Sequence, residues 1–189
     1  THWGGMVRRS SGEDVRKESE NNTKEMKPVD LGDDIPIYIA DIDYEERGTN
    51  CFTWNEAMKI NERIKHTGWR LPYGNAEICQ VLCGNNYHPK YLKVFLKCEK
   101  DYDNLRAAIK SEKTGEMVEF KLDRIGRCAI SKYWCNWEKE PPSNIDIANW
   151  ENARIFIVGE SGFVSPHNII STNNCEKTTL NKIRLVKDK

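Results

Sequence analysis

One well-punctuated helix, followed by segments of a different period, constrains this chain more than anything else in it. Thr53 and Glu56 have the spacing of a capping box, and Trp54, Ala57, Met58, Ile60 and Ile64 share one broad face over residues 53–65. Gly68 is placed to end that helix. A shorter helix is expected over residues 75–83, capped by Asn75, stopped by Gly84, with Ile78, Cys79 and Leu82 inward. Beyond Asn85 the apolar spacing moves toward two. Residues 105–109 and 116–122 flank Glu112, Lys113, Thr114 and Gly115 as the arms of a hairpin, although residues 105–110 also suit a short helix on propensity. Further strands are expected at 131–137, 153–158 and 182–187, with a turn at 160–162. Helices early and strands late describe an α+β domain, not alternating βαβ units.

The 189 residues suit a single domain with a tail. Residues 1–28 carry six basic and five acidic side chains but one aromatic, Trp3. Such a segment buries too little apolar area to offset chain entropy, so it reads as an extended or disordered N-terminal arm that orders against a partner. Trp3, Met6 and Val7 form an apolar hook at its far end and are the expected anchoring residues. The folded domain is expected to occupy residues 29–189, opening with the extended, Pro-interrupted run from Val29 to Ile42. No stretch reaches the ~18–20 apolar residues of a membrane span, and residues 1–30 lack the apolar core and cleavage site of a secretory signal. Lys plus Arg and Asp plus Glu number 29 each, so no one-sign field draws a polyanion, and nucleic acid is not expected as a partner.

Catalytic motifs are missing. The chain has no G-x-S-x-G, Walker loop, G-x-G-x-x-G or H-E-x-x-H, and His2, His66, His88 and His167 lie far apart in sequence. The seven cysteines form no C-x-x-C pair, which favours reduced thiols, while the odd count leaves room for one or two bridges. Cys79 and Cys83, four apart on the expected second helix, read as small buried side chains. The cluster Asp30, Asp33, Asp34, Asp41, Asp43, Glu45 and Glu46 includes Asp41-x-Asp43-x-Glu45, the start of a calcium loop, but Glu46 stands where that loop needs Gly, so the cluster reads as a solvated acidic edge. No metal and no other cofactor is expected. Trp134, Trp137 and Trp150 are more informative, because amides, carboxylates and rigid prolines surround them, a mixture suited to stacking on sugar rings or to an adaptable protein contact. Trp137, Asn144, Trp150, Asn136 and Glu151 are the expected ligand-binding residues, with Trp137 the most exposed.

Several ordered segments carry a resemblance. Phe52-Thr53-Trp54-Asn55-Glu56-Ala57-Met58, then Gly68-Trp69-Arg70-Leu71-Pro72 with Glu77 five further on, resemble Y-x-W-x-x-A and G-W-R-L-P-T-x-x-E-W segments. Residues 115–122 are similar to a G-N-S-I-x-L-P strand, Tyr133-Trp134-Cys135 to Y-W-S-S, residues 161–168 to S-G-x-V-S-P-x-N, and Ile183-Arg184-Leu185-Val186 to a closing V-R-x-V strand. Together, over residues 29–188, these resemble the Fibrobacter succinogenes major paralogous domain family of Bacteroidetes and their phages. Departures are Tyr73 for the usual Thr, Leu122 without a following Pro, Cys135 for Ser, and residues 87–103 without a counterpart.

The resemblance implies a C-type lectin-like domain, with two helices, a small antiparallel β region and a long loop that presents the variable surface. It further implies a non-catalytic binding or structural module on a virion, or on a bacterial cell surface and so extracellular. Its partners would be protein subunits of a larger assembly, as a homo-oligomer or with other chains, and a surface glycan or receptor. Trp54, Trp69, Arg70, Leu71, Tyr133, Trp134 and Arg184 would be structural, with Trp69, Leu71 and Trp134 buried and the arginines in polar networks. Glu140-Pro141-Pro142 and Trp150-Glu151-Asn152 only echo the calcium-binding tripeptides of lectins. The same broad fold includes formylglycine-generating enzymes, and Cys128 with Cys135 is the pair such an enzyme would use in this chain.

Overall fold

The computed structural model describes residues 12–33, 35–74, 94–96, 105–111, 113–126, 128–136, 150–160 and 170–189. Two helices lie in the first third of the chain: α1 spans Gly12–Lys24, and α2, the helix expected from the capping box, spans Trp54–Ile64. The Thr53 hydroxyl accepts the Glu56 amide at 3.3 Å, and the Thr53 amide donates to the Glu56 carboxylate at 3.1 Å. Trp54, Ala57, Ile60 and Ile64 are buried, each large apolar side chain contributing about 1.5–3 kcal/mol. A 3₁₀ turn over Lys65–Thr67 then closes on Gly68, whose φ of 88° is the left-handed conformation that glycine adopts without strain.

The strands are β1 (Pro28–Asp30), β2 (Ile37–Ala40), β3 (Trp69–Arg70), β4 (Val94–Leu96), β5 (Arg106–Lys110), β6 (Met117–Lys121), β7 (Asp123–Ile125), β8 (Cys128–Trp134), β9 (Asn152–Glu160), β10 (Ile170–Glu176) and β11 (Val186–Asp188). Among the described residues they pair in three sheets, ordered β1-β2-β11-β3, β10-β9-β8-β7 and β4-β5-β6, and each of these strand pairs is antiparallel. The architecture is therefore mixed α and β, with two described helices and antiparallel sheets. In the first sheet β11 lies between β2 and β3, with Val186 opposite both Ile39 and Arg70. β5 and β6 form the expected hairpin rather than a short helix, and β6 alternates with Val118 and Phe120 inward. Where β8 crosses β9, a Cβ on Gly159 would lie 2.1 Å from the Ala129 carbonyl oxygen, so only glycine fits there.

Two apolar clusters fill the interior. One joins β1, β2 and the β5–β6 hairpin to Tyr133, Phe156 and Val158, and the other gathers α2, Trp69, Leu71, Trp134, Ile183 and Leu185. No described helix is long and apolar enough to cross a membrane.

Several expectations change. Residues 12–24 are helical, not extended or disordered, and Ser19, Thr23 and Met26 are buried, because polar partners on α2 and the loop after β2 replace the apolar area the segment lacks. The opening run divides into β1 and β2, which pair with each other antiparallel, with Gly32 and Pro36 in the connection that turns the chain back. Residues 182–187 supply a strand only at Val186–Asp188; before it Lys182 bridges Tyr133. β10 has no signal in the periodicity, because its sequence Ile-Ser-Thr-Asn-Asn-Cys-Glu is polar, as an edge strand permits. The expected helix over 75–83 and the turn at 160–162 lie wholly or mostly outside the described residues, as do the anchoring residues Trp3, Met6 and Val7.

Candidate functional site

The surface singled out by its tryptophans is described in part. Trp137 and Asn144 lie outside the described residues. The remaining three lie at the same end of the second sheet. Trp134 pairs with Ile155, and the Cys135 amide donates to the Arg154 carbonyl at 3.0 Å, so Asn136 leaves β8 at the end where Trp150 and Glu151 lead into β9. Trp150 is 39% exposed, Glu151 is exposed and Asn136 is half-buried. Glu151 is fixed through its backbone: its carbonyl accepts the Lys177 amide at 2.9 Å, and the Lys177 carbonyl accepts the Trp54 amide at 3.0 Å. The surface is thus tied to the first turn of α2. Leu180, 60% exposed, follows in the same segment, and no sequence motif singles it out.

Behind this surface stand the residues expected to be structural. Trp54 and Trp134 meet edge to face with centroids 5.7 Å apart, and the Trp134 indole donates to the Phe52 carbonyl at 2.6 Å. Trp69 and Leu71 are buried, and the Leu71 amide donates to Asn61 Oδ1 at 2.8 Å. Asn136 donates its amide to the Pro72 carbonyl at 2.8 Å and bridges Tyr73, whose ring lies under the Arg70 guanidinium at 4.6 Å. Arg70 also pairs with Asp188 at 2.8 Å, joining β3 to the end of β11.

The acidic run expected to be a solvated edge is built differently. Residues 41–46 line an open groove of about 690 Å³ whose other walls are α1 (Glu18, Asn22) and the hairpin (Arg106, Glu119, Lys121), with Arg184 at its floor. Arg184 is 2% exposed and fully engaged: it donates to Asp43 Oδ1 at 2.9 Å and to the carbonyls of Ala40 and Glu119 at 3.0 and 2.7 Å, and its guanidinium covers the Phe120 ring at 4.4 Å. Beside that pair, Tyr133 is stacked on Phe156 at 4.7 Å, its hydroxyl near Asp43 without a hydrogen bond of normal geometry. Burial, then the Asp43 charge, pushes the Tyr133 phenol well above its ordinary range. Glu46 is buried, not solvated, for reasons that concern α1.

Lys182, 6% exposed, donates to Ser131 Oγ at 3.2 Å and to the Lys121 carbonyl at 3.3 Å, and pairs with Asp123 at 3.2 Å. This satisfies a buried ammonium and leaves the Ser131 hydroxyl, itself bonded to Lys121, inside the wall. Burial raises the Cys51 thiol above its usual range, so it is not an activated nucleophile. Cys128 opens β8 and Cys135 follows its end, a separation of roughly 20 Å at the rise of a strand. Among the described residues no group of three His, Cys, Asp or Glu side chains could hold a metal ion. No protein-family model, curated protein or solved structure matches the chain.

Proposed function

We propose that this chain is a non-catalytic binding or structural module of C-type lectin-like fold, displayed on a phage particle or bacterial cell surface, that recognises a glycan or protein. The observation that carries the reading is where the resemblance falls. Phe52, Trp54, Ala57, Trp69, Leu71, Tyr133, Trp134 and Val186 are all buried, whereas Trp150 and Glu151 are exposed at the end of the second sheet. A likeness that runs through so many packing residues is what a common scaffold with a replaceable surface would leave. Trp150 supplies an aromatic face, and Asn136 and Glu151 supply amide and carboxylate groups at the same end of the sheet, the chemistry of a sugar or adaptable protein contact. The segment before α1, with Trp3, Met6 and Val7, is the proposed tether to neighbouring subunits. The cysteine-pair oxidation chemistry fits poorly, because β8 holds Cys128 and Cys135 apart.

The labelled protein should be applied to a glycan array and to a panel of Bacteroidetes cells, alongside Trp150→Ala. Binding that the substitution weakens at least tenfold supports the reading. Binding unaffected by Trp150→Ala would move the site elsewhere, and copper-dependent oxidation of a cysteine peptide would overturn the reading.

A further inference from the structure

We propose that α1 is a releasable strap, seated on the domain through the carboxylate of Glu46 and the left-handed turn residue Arg47, and able to open while α2 and the sheets beneath stay folded. Among its thirteen residues, Gly-Glu-Asp-Val-Arg-Lys-Glu-Ser-Glu-Asn-Asn-Thr-Lys, Val15 is the only large apolar one, and its buried positions are Ser19 and Thr23. A polar helix of this length has little stability alone, so its order comes from its seat.

The seat has a centre. Glu46 Oε1 accepts the Ser19 hydroxyl at 2.7 Å and the Tyr44 hydroxyl at 3.2 Å, while Arg63 of α2 grips both carboxylate oxygens at 2.8 Å. Arg63 Nε also donates to Ser19 Oγ at 3.1 Å, so one α1 hydroxyl completes a network between α2 and the loop after β2.

Next to it, Glu46 and Thr49 exchange backbone hydrogen bonds of 2.9 and 3.0 Å around Arg47 and Gly48, with φ of 52° and 75°. That is a turn with positive φ at both central residues, where Asn or Gly would be the ordinary first residue. Arg47 is the one described non-glycine residue with positive φ, and one α1 carboxylate holds it at two points: Glu18 accepts its amide at 3.2 Å and its Nε at 3.5 Å. Strain of this kind persists where surrounding contacts over-determine it. At the other flank of α1, Glu20 meets His66 at 2.7 Å.

Little below the seat depends on α1. The cap of α2 is made by its own residues, and its buried face packs on Trp69, Trp134 and Leu185. Met26 is where the chain enters the core, which leaves residues 24–26 as the hinge. Opening removes the wall of the acidic groove formed by Glu18 and Asn22 and uncovers the side of Phe52 and Ile60 that Val15 faces. Regions with few apolar contacts open below the global unfolding free energy, and α1 meets that description.

Hydrogen exchange read by mass spectrometry on the whole chain tests this. Peptides from α1 should exchange at least roughly tenfold faster than those from α2, and Glu46→Gln should speed α1 by roughly 100-fold with α2 unchanged. Arg47→Gly is the second arm: it relieves the turn and removes the Nε contact to Glu18 while keeping the amide one, so α1 should exchange roughly threefold faster while the melting temperature holds or rises. If α1 and α2 exchange together in every variant, or Arg47→Gly lowers the melting temperature with α1 exchange unchanged, the strap does not exist. Should Glu46→Gln fail to fold, Arg47→Gly alone decides.

Discussion

α1 and α2 lie against each other, yet opposite forces hold them. α2 buries Trp54, Ala57, Ile60 and Ile64 in a closed apolar cluster, whereas α1 buries Ser19 and Thr23 and is held by Glu46, Arg63, Arg47 and His66. The difference lies in what each seat loses when one member is removed. Apolar contacts are non-directional and spread over many atoms, so they resist partial opening; a network centred on one carboxylate depends on each of its members.

The largest effect that would break the comparison is on the apolar side. Ile60→Ala should cost about 3 kcal/mol in urea unfolding and destabilise the whole domain together; a loss confined to α1 would contradict the division. Slightly smaller, and local, is Arg63→Ala. It leaves Glu46 buried without its cation, a cost of about 3 kcal/mol at most given the partial exposure of Arg63, and it should speed tryptic cleavage after Arg16 and Lys17 while urea unfolding of the sheets barely moves. Thr53→Ala sharpens the contrast within α2, where loss of the cap should cost about 1 kcal/mol and leave α1 exchange unaltered.

The smallest effect concerns pH. Hydrogen bonds from Lys189 above all, with Lys113 and the Gly32 amide, hold the Asp30 carboxyl at about 2, below the ordinary 3.8. A depressed folded value means the stabilisation is fully present above about pH 4 and is lost as pH falls toward 2. Asp30→Asn should therefore narrow the gap in stability between pH 5 and pH 2 relative to the parent chain, as read by thermal melts; an unchanged gap would show that the network contributes nothing.

How much is legible follows from the range of each interaction. The capping box, the Gly68 stop, the hairpin and the burial of Trp69, Leu71 and Trp134 are readable, because neighbours in sequence or a period of two or 3.6 encode them. The candidate surface is half readable: aromatic and polar composition marks Trp150, Asn136 and Glu151, but nothing local marks Leu180, whose exposure depends on where the turn after β10 places it. α1 escapes a reading of composition for the same reason. Its residues describe a chain that cannot fold alone, which is true, and are silent on a seat supplied by residues 44–66.

The sequence by itself determined α2 with its cap and stop, the β5–β6 hairpin and the apolar face of each, since steric preferences and side-chain spacing act within a few residues; it did not mark α1 or β10. Only the tertiary structure decided that β11 would slip between β2 and β3, that Arg184 would answer Asp43 and the carbonyls of Ala40 and Glu119 from 141, 144 and 65 positions away, and that Glu46 would become a buried hub. The physical reason is that a buried polar group must find its complement wherever the packed chain brings one, and that partner is set by geometry in space, not by distance along the sequence.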